Sequence, residues 1–175
     1  AKGLRPVIRA SSTLKKYPVS NVWTDKWMSP KPAHSALGSA WCEGKSDDGV
    51  GEWVEFKFPQ RVTLTEIHFA PGYAKSTDTL KKNNQVKRMT LFLDGKRVVR
   101  FAFPRQAISR GTSVIRFGST YKDNAEVKTN DRAIISALES RPFRTMRLVI
   151  NEVHRGSQFN DTCISAIIPG VVRAH

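Results

Sequence analysis

Cysteine is scarce in this chain of 175 residues, and the two present, Cys42 and Cys163, stand far apart. That spacing excludes clustered zinc ligands and a CxxC redox pair. It leaves two readings: a long-range disulfide in an oxidising compartment, or two buried thiols in a reducing one. Long apolar runs are also missing, and none approaches the roughly 18 residues needed to cross a bilayer. Acidic residues are few, with 15 Asp and Glu against 29 Lys and Arg, a net charge of +14. Such a field attracts polyanions: nucleic acid, anionic lipid or acidic cell-surface glycans. The basic residues are scattered from Lys2 to Arg173, with pairs at Lys15-Lys16, Lys81-Lys82, Lys87-Arg88 and Lys96-Arg97 and no basic tail. An excess spread over the whole surface would serve solubility alone.

Catalytic constellations are absent as well. His34, His68, His154 and His175 show no paired spacing with Cys or an acid, and no Ser or Cys sits in a nucleophile elbow. Asp47 and Asp48 are adjacent carboxylates on a loop, where neighbours splay apart instead of facing each other across a substrate. They read as hydrogen-bonding groups of a turn or a ligand site. Neither enzyme activity, nor a cofactor, nor a metal is expected.

What is present is alternation. Hydrophobic residues make up 39% and charged residues 25%, ordinary for a globular chain. Val7 to Leu14 reads as a first strand, and Tyr17 to Ser39 as a long irregular loop, broken by Pro18, Pro30 and Pro32, in which Trp23 and Trp27 act as plugs. Ala40 to Trp53 reads as a short strand, a polar loop with three glycines, and a strand opening on Trp53, with Trp41 in the core. In Trp53–Phe58, Val54, Phe56 and Phe58 alternate with Glu55 and Lys57. Pro59-Gln60-Arg61 is expected to turn the chain into a second strand, Val62 to Phe69, whose phase slips between Leu64 and Ile67 as at a bulge. Gly72 to Asn84 reads as a polar loop. Val86–Leu93 and Arg97–Phe103 flank a hairpin turn at Asp94-Gly95. Ser113–Phe117, Arg144–Ile150 and Cys163–Ile168 complete the strands, the last ending before Pro169-Gly170. Between them, Ala133 to Leu138 could form a helical turn or two. About eight short strands with almost no helix predict an all-β, antiparallel jelly-roll β-sandwich.

Strand parity sorts the loops. If consecutive strands run antiparallel, loops 44–51, 71–84, 104–112 and 151–162 share one end, while 59–61, 94–96 and 118–141 share the other. The first set is long and polar, and long loops gathered at one end of a sandwich commonly carry binding. Both cysteines fall at that apical end, which favours the disulfide Cys42–Cys163. Asn, Asp, Arg and Lys can hydrogen-bond vicinal hydroxyls, and aromatic rings stack on a pyranose. The candidate ligand-binding residues are therefore Lys45, Asp47, Asp48, Tyr73, Lys75, Asn83, Asn84, His154, Arg155, Gln158, Phe159 and Asn160. Asn83-Asn84 and Asn160-Asp161 could equally cap turns, and Tyr73 and Phe159 could fold down as lids on the core. On the strands, Lys57, Arg88, Arg100 and Arg147 fall on outward positions and would form a basic face.

The order of several segments also carries a resemblance. Ala40-Trp41-Cys42-Glu43-Gly44, Gly49-Val50-Gly51-Glu52-Trp53-Val54-Glu55, Gly72-Tyr73-Ala74-Lys75-Ser76, Asn83-Asn84-Gln85-Val86-Lys87 and Asn160-Asp161-Thr162-Cys163-Ile164-Ser165 occur in sequence. Together they resemble the discoidin-like, galactose-binding-like jelly rolls, most closely the NADase-type glycan-binding or translocation domain. The resemblance implies one domain over 1–175, with its core at about 7–169. It also implies a non-catalytic module whose apical loops bind carbohydrate, for adhesion or targeting. Many such domains hold calcium with an acidic segment before the first tryptophan and a Glu on the closing strand. Here those positions read His34-Ser35-Ala36-Leu37-Gly38-Ser39-Ala40 and Ala166, without carboxylates, so no calcium is expected there. Arg and Lys in the loops would favour carboxylated or phosphorylated glycans. The expected partner is a glycan or anionic cell-envelope polymer. Nucleic acid ranks lower, since no aromatic-interleaved basic motif supports it, and a protein partner on the same loops has no distinguishing feature. Ala1-Lys2-Gly3 is expected to open a mature chain whose leader has been removed, placing it outside the cell or in the periplasm.

Overall fold

A computed structural model describes residues 3–23, 38–106, 113–116 and 141–175, the segment 113–116 by its backbone alone. Trp27, the sequence 34–37 and the helical turn expected at 133–138 lie outside the described residues. The strands are β1 (Val7–Ala10), β2 (Trp41–Cys42), β3 (Trp53–Ala70), β4 (Gln85–Leu93), β5 (Lys96–Ala102), β6 (Ser113–Arg116), β7 (Phe143–His154), β8 (Cys163–Ile164) and β9 (Ala166–Arg173). A 3-10 turn spans Val19–Val22 and one helix, α1, spans Thr77–Lys82. Every ladder between named strands is antiparallel. The fold is an open jelly roll.

Its organising element is β3, the longest strand. The expected turn at Pro59-Gln60-Arg61 does not separate two strands, because β3 runs through it. The register with β7 slips between Lys57 and Val62, and Pro59, which cannot donate to a ladder, sits inside that irregularity. The chain bends there instead of breaking. The first half of β3 lies between β1 and β7, in a layer ordered β1-β3-β7-β4-β5; the second half lies between β6 and β9. A further slip between Leu64 and Glu66 matches the phase change expected between Leu64 and Ile67.

The two layers close on one apolar core. Trp41, Val54, Phe56, Phe58, Leu64 and Ile67 are among its fully buried members, and Trp23 packs against it at 6.5 Å from Phe56. Phe69 meets Phe101 in a tilted contact at 5.3 Å and Phe103 edge to face at 5.0 Å, contacts that add specificity to burial. Other boundaries differ from expectation. β1 stops at Ala10, and β7 runs on to His154. β9 continues through Pro169-Gly170 to Arg173, which an edge strand tolerates because its far side needs no N–H donor.

Because β3 doubles back, both of its ends meet the small β2–β8 ladder. At its start, Ser11 N donates to Trp53 O at 3.0 Å and, three residues on, Leu14 N donates to Cys42 O at 2.9 Å; at its end, Ser165 N donates to Ala70 O at 3.0 Å. The loops 44–51, 71–84 and 151–162 therefore share one end, joined by Pro104–Gln106 through Gln85. At the opposite end, Arg144 binds Phe58 O and Pro59 O while Asp94 accepts from the amides of Arg144 and Thr145.

Candidate functional site: an apical groove over a disulfide

The apex is built around a buried carboxylate. Glu43 is fully shielded from solvent, and its two oxygens accept from Lys45 N (2.8 Å) and Thr162 N (3.2 Å). Burial pushes its carboxyl above the ordinary range, against the pull of those amides, with Asp161 and Asp47 adding repulsion. Gly49 closes over it at φ +78°, where a Cβ would stand 2.5 Å from Glu43 Cγ. Thr162 Oγ1 then donates to Asp48 O at 2.6 Å, completing the attachment of the loop.

Asp47 and Asp48 belong to this scaffold. Asp47 accepts from Gly49 N and Asp48 from Val50 N, so both carboxylates close Asx turns. Arg155 reaches Asp48 at 3.5 Å and donates to Asn160 Oδ1 at 3.0 Å, linking loops 44–51 and 151–162 on the surface. Asn84 is buried and occupied on every side: Nδ2 donates to Asn160 O at 2.8 Å and Oδ1 accepts from Gly156 N at 2.7 Å. It braces the loops on either side of it.

Within the expected 72–84 loop the structure contains α1. Ser76 and Thr79 form a reciprocal capping box at its start, Leu80 is its buried anchor, and Asp78 pairs with Lys82 at 2.9 Å. Its last carbonyls are met from outside: Ser157 N donates to Lys81 O, and Gln158 N and Phe159 N donate to Lys82 O. This approach needs glycine at 156, where a Cβ would lie 2.4 Å from Lys82 O and 2.5 Å from Asn83 C. The result is an exposed Phe159 held beside α1 by its own backbone.

Between α1, the Leu14–Tyr17 segment and Phe159 lies a groove of about 460 Å³. Its floor includes Cys42, bonded to Cys163 directly across the β2–β8 ladder with Cα atoms 4.1 Å apart. Tyr17 and Tyr73 meet edge to face at 5.8 Å along one side. Burial, and then Tyr17, raise the Tyr73 hydroxyl above its ordinary range, so it stays a neutral donor at physiological pH. Lys75 is exposed at the rim and has no ion pair among the described residues, while Asn83 donates to Thr79 O at 3.0 Å.

Four candidates from the sequence therefore line the groove: Tyr73, Lys75, Asn83 and Phe159. Lys45, Asp47, Asp48, Arg155, Gln158 and Asn160 lie on the neighbouring loops outside it. His154 belongs to β7 and bonds Phe103 O at 2.8 Å. Leu14, Tyr17, Asp78, Thr79, Lys82 and Asp161, none of them a candidate from the sequence, also line the groove. Ser76-x-x-Thr79 was the local sign that a helix would bring three of them together.

Residues 2–169 match the family described as NAD glycohydrolase translocation F5/8 type C domain. The chain belongs to that family. No curated protein matches it in sequence. Among solved structures, a family 32 carbohydrate-binding module of NanJ from Clostridium perfringens, described in complex with galactose, is 9% identical with a TM-score of 0.57. The match covers 94% of this chain and 92% of that one. A third such module from a family 31 glycoside hydrolase of the same organism is 13% identical with TM-score 0.57, over 95% and 90% of the two chains. The module of AlyQ, described in complex with 4,5-unsaturated mannuronic acid, is 12% identical with TM-score 0.52, over 94% and 93%. At such identities the likeness is one of fold. Among the described residues no group of three or more His, Cys, Asp or Glu is arranged to hold a metal, and no helix is long and apolar enough to cross a membrane.

Proposed function

We propose that this F5/8 type C domain is a non-catalytic glycan-binding module that takes its ligand in the apical groove. The observation that carries the reading is the convergence of Tyr73, Phe159, Lys75, Asn83 and Asp161 on one open cavity above a covalently fixed floor. Flat rings offer faces to the apolar side of a sugar, and the amide, carboxylate and ammonium groups offer donors and acceptors to its hydroxyls. Similar folds described with galactose and with an unsaturated mannuronic acid support the same reading. The rim position of Lys75 favours sugars bearing a carboxylate or phosphate, through charge-assisted hydrogen bonds. The disulfide fits an oxidising compartment, so the proposed setting is outside the cytoplasm, in adhesion or targeting at a cell envelope.

A glycan array with neutral and acidic panels tests this. Binding is expected among acidic glycans and is expected to fall at least tenfold in Phe159→Ala and in Lys75→Ala. No hit in either panel, or hits indifferent to both substitutions, refutes the assignment.

A further inference from the structure

A second surface lies on the outer face of the large layer. Cross-strand partners share a face, so the ladders define its rows. One row runs Arg9, Glu55, Arg147, Phe92, Arg97 across β1, β3, β7, β4 and β5; the next runs Trp53, Val149, Thr90, Arg100. Lys57 and Thr145 form the row below. Over these rows lies a groove of about 400 Å³, lined by Glu55, Phe92, Gly95, Thr145, Arg147 and Val149. This volume falls within the range of about 300–1,000 Å³ usual for ligand sites.

The centre of this face is preorganised. Glu55 is 5% exposed, yet it points outward, and it receives Arg9 at 2.6 Å on one oxygen and Arg147 at 2.9 and 2.7 Å on the other. Arg147 also lies 3.9 Å above the Trp53 ring. One carboxylate thus orients two guanidiniums, which are only partly covered and still have N–H edges to give. Arg97, Arg100 and Lys57 stand exposed around them, without ion pairs among the described residues. Five cations therefore face Glu55 at the centre and Asp94 at the margin, beside a strip of Trp53, Val149 and Phe92.

We propose that this face binds an extended acidic polysaccharide, its carboxylates or sulfates on the arginines and its sugar rings along Val149 and Phe92. Planar guanidiniums match such oxyanions in geometry as well as charge. Single-stranded nucleic acid also uses cations and rings, but it needs open aromatic faces for its bases. Here the Trp53 face is occupied by Arg147. The disulfide again favours a compartment where polysaccharide is the abundant polyanion.

The test is titration calorimetry of the whole chain with heparin, polygalacturonate, neutral dextran and oligo(dT). At least one acidic polysaccharide is expected to bind, dextran is not, and oligo(dT) is expected to be at least tenfold weaker. Arg97→Ala with Arg100→Ala should weaken polysaccharide binding tenfold or more. Lys15→Ala with Lys16→Ala, which removes the same charge from exposed positions elsewhere, should change it less than threefold. Arg97→Ala with Arg100→Ala should keep the glycan-array hits that depend on Phe159, which separates this site from the apical groove. Overturning results are absence of binding to both acidic polymers, equal losses in the two charge variants, full affinity in Arg97→Ala/Arg100→Ala, loss of the Phe159-dependent array hits in that variant, or oligo(dT) binding as tightly.

Discussion

Removing the Cys42–Cys163 disulfide should destabilise the domain more than any single core truncation of comparable size. The bond closes a loop with a sequence separation of 121 residues, which contains β3 to β7. In the chain-entropy treatment, releasing such a loop in the unfolded state is worth about 5 kcal/mol, and removal of native disulfides typically costs about 2–5 kcal/mol. Both sulfurs are buried among Ala40, Leu14, Tyr17 and Tyr73. Serine would therefore introduce buried hydroxyls, and Cys42→Ala/Cys163→Ala is the cleaner variant. At roughly 2–4 °C per kcal/mol for a chain of this length, Tm should fall by about 5–20 °C. Calorimetric melts of the wild type and the double variant measure this. Urea titrations should also show a larger m-value in the variant, because its unfolded state is no longer a ring. A Tm shift under about 3 °C, or two thiols titrating in unreduced, denatured wild-type protein, would refute the reasoning.

Two further predictions concern the scaffold. Gly49→Ala and Gly156→Ala should each cost more than Gly95→Ala, measured by urea unfolding. Position 95 carries only the strain of φ +79° in open space, about 1–2 kcal/mol; position 49 adds a Cβ forced onto Glu43 to its own φ of +78°, and position 156, without a positive φ, would force a Cβ onto the Lys82–Asn83 backbone. Equal losses at positions 49 and 95 would show that backbone strain alone decides there, and a loss at 156 no larger than at 95 would show that its surroundings give way. Glu55 predicts a pH dependence. Burial raises its carboxyl, but the hydrogen bonds of Arg9 and Arg147 outweigh this and hold it below the ordinary value. A lowered folded-state value contributes stability that is fully present above the unfolded value of about 4.3 and lost as pH falls through the folded one. Glu55→Gln should therefore lower stability at pH 7 and flatten its decline below about pH 4. An unchanged acid limb in that variant would exclude Glu55 as its source.

Much of this architecture was legible in the sequence because a strand writes its period locally. The alternation of Val54, Phe56 and Phe58, and of Met146, Leu148 and Ile150, states which face is buried without reference to any partner. Counting strands then placed the long loops and both cysteines at one end, even though Pro59-Gln60-Arg61 proved to be a bend within β3. A bend and a turn reverse the chain alike, so the parity survived the error. Residues of the groove were read less well. Lys81-Lys82-Asn83-Asn84 has the polarity of a loop, which hid α1, although its capping pair, Ser76 and Thr79, stood in plain sequence. Asn84 is buried and bonded to Asn160 and Gly156, a placement its sequence neighbours do not announce, because hydrogen-bonding side chains serve turns and ligands alike.

The sequence by itself determined the class of fold, the buried faces, the apical end and the family, since these rest on periodicity and on motifs read over a few neighbouring residues. Only the tertiary structure decided that Glu43 would be sealed beneath its loop and that Tyr17 would meet Tyr73. The same holds for Arg9 and Arg147 converging on Glu55 from two different strands. Those juxtapositions depend on how β3 bends and on register between strands distant in sequence, and no local pattern encodes either.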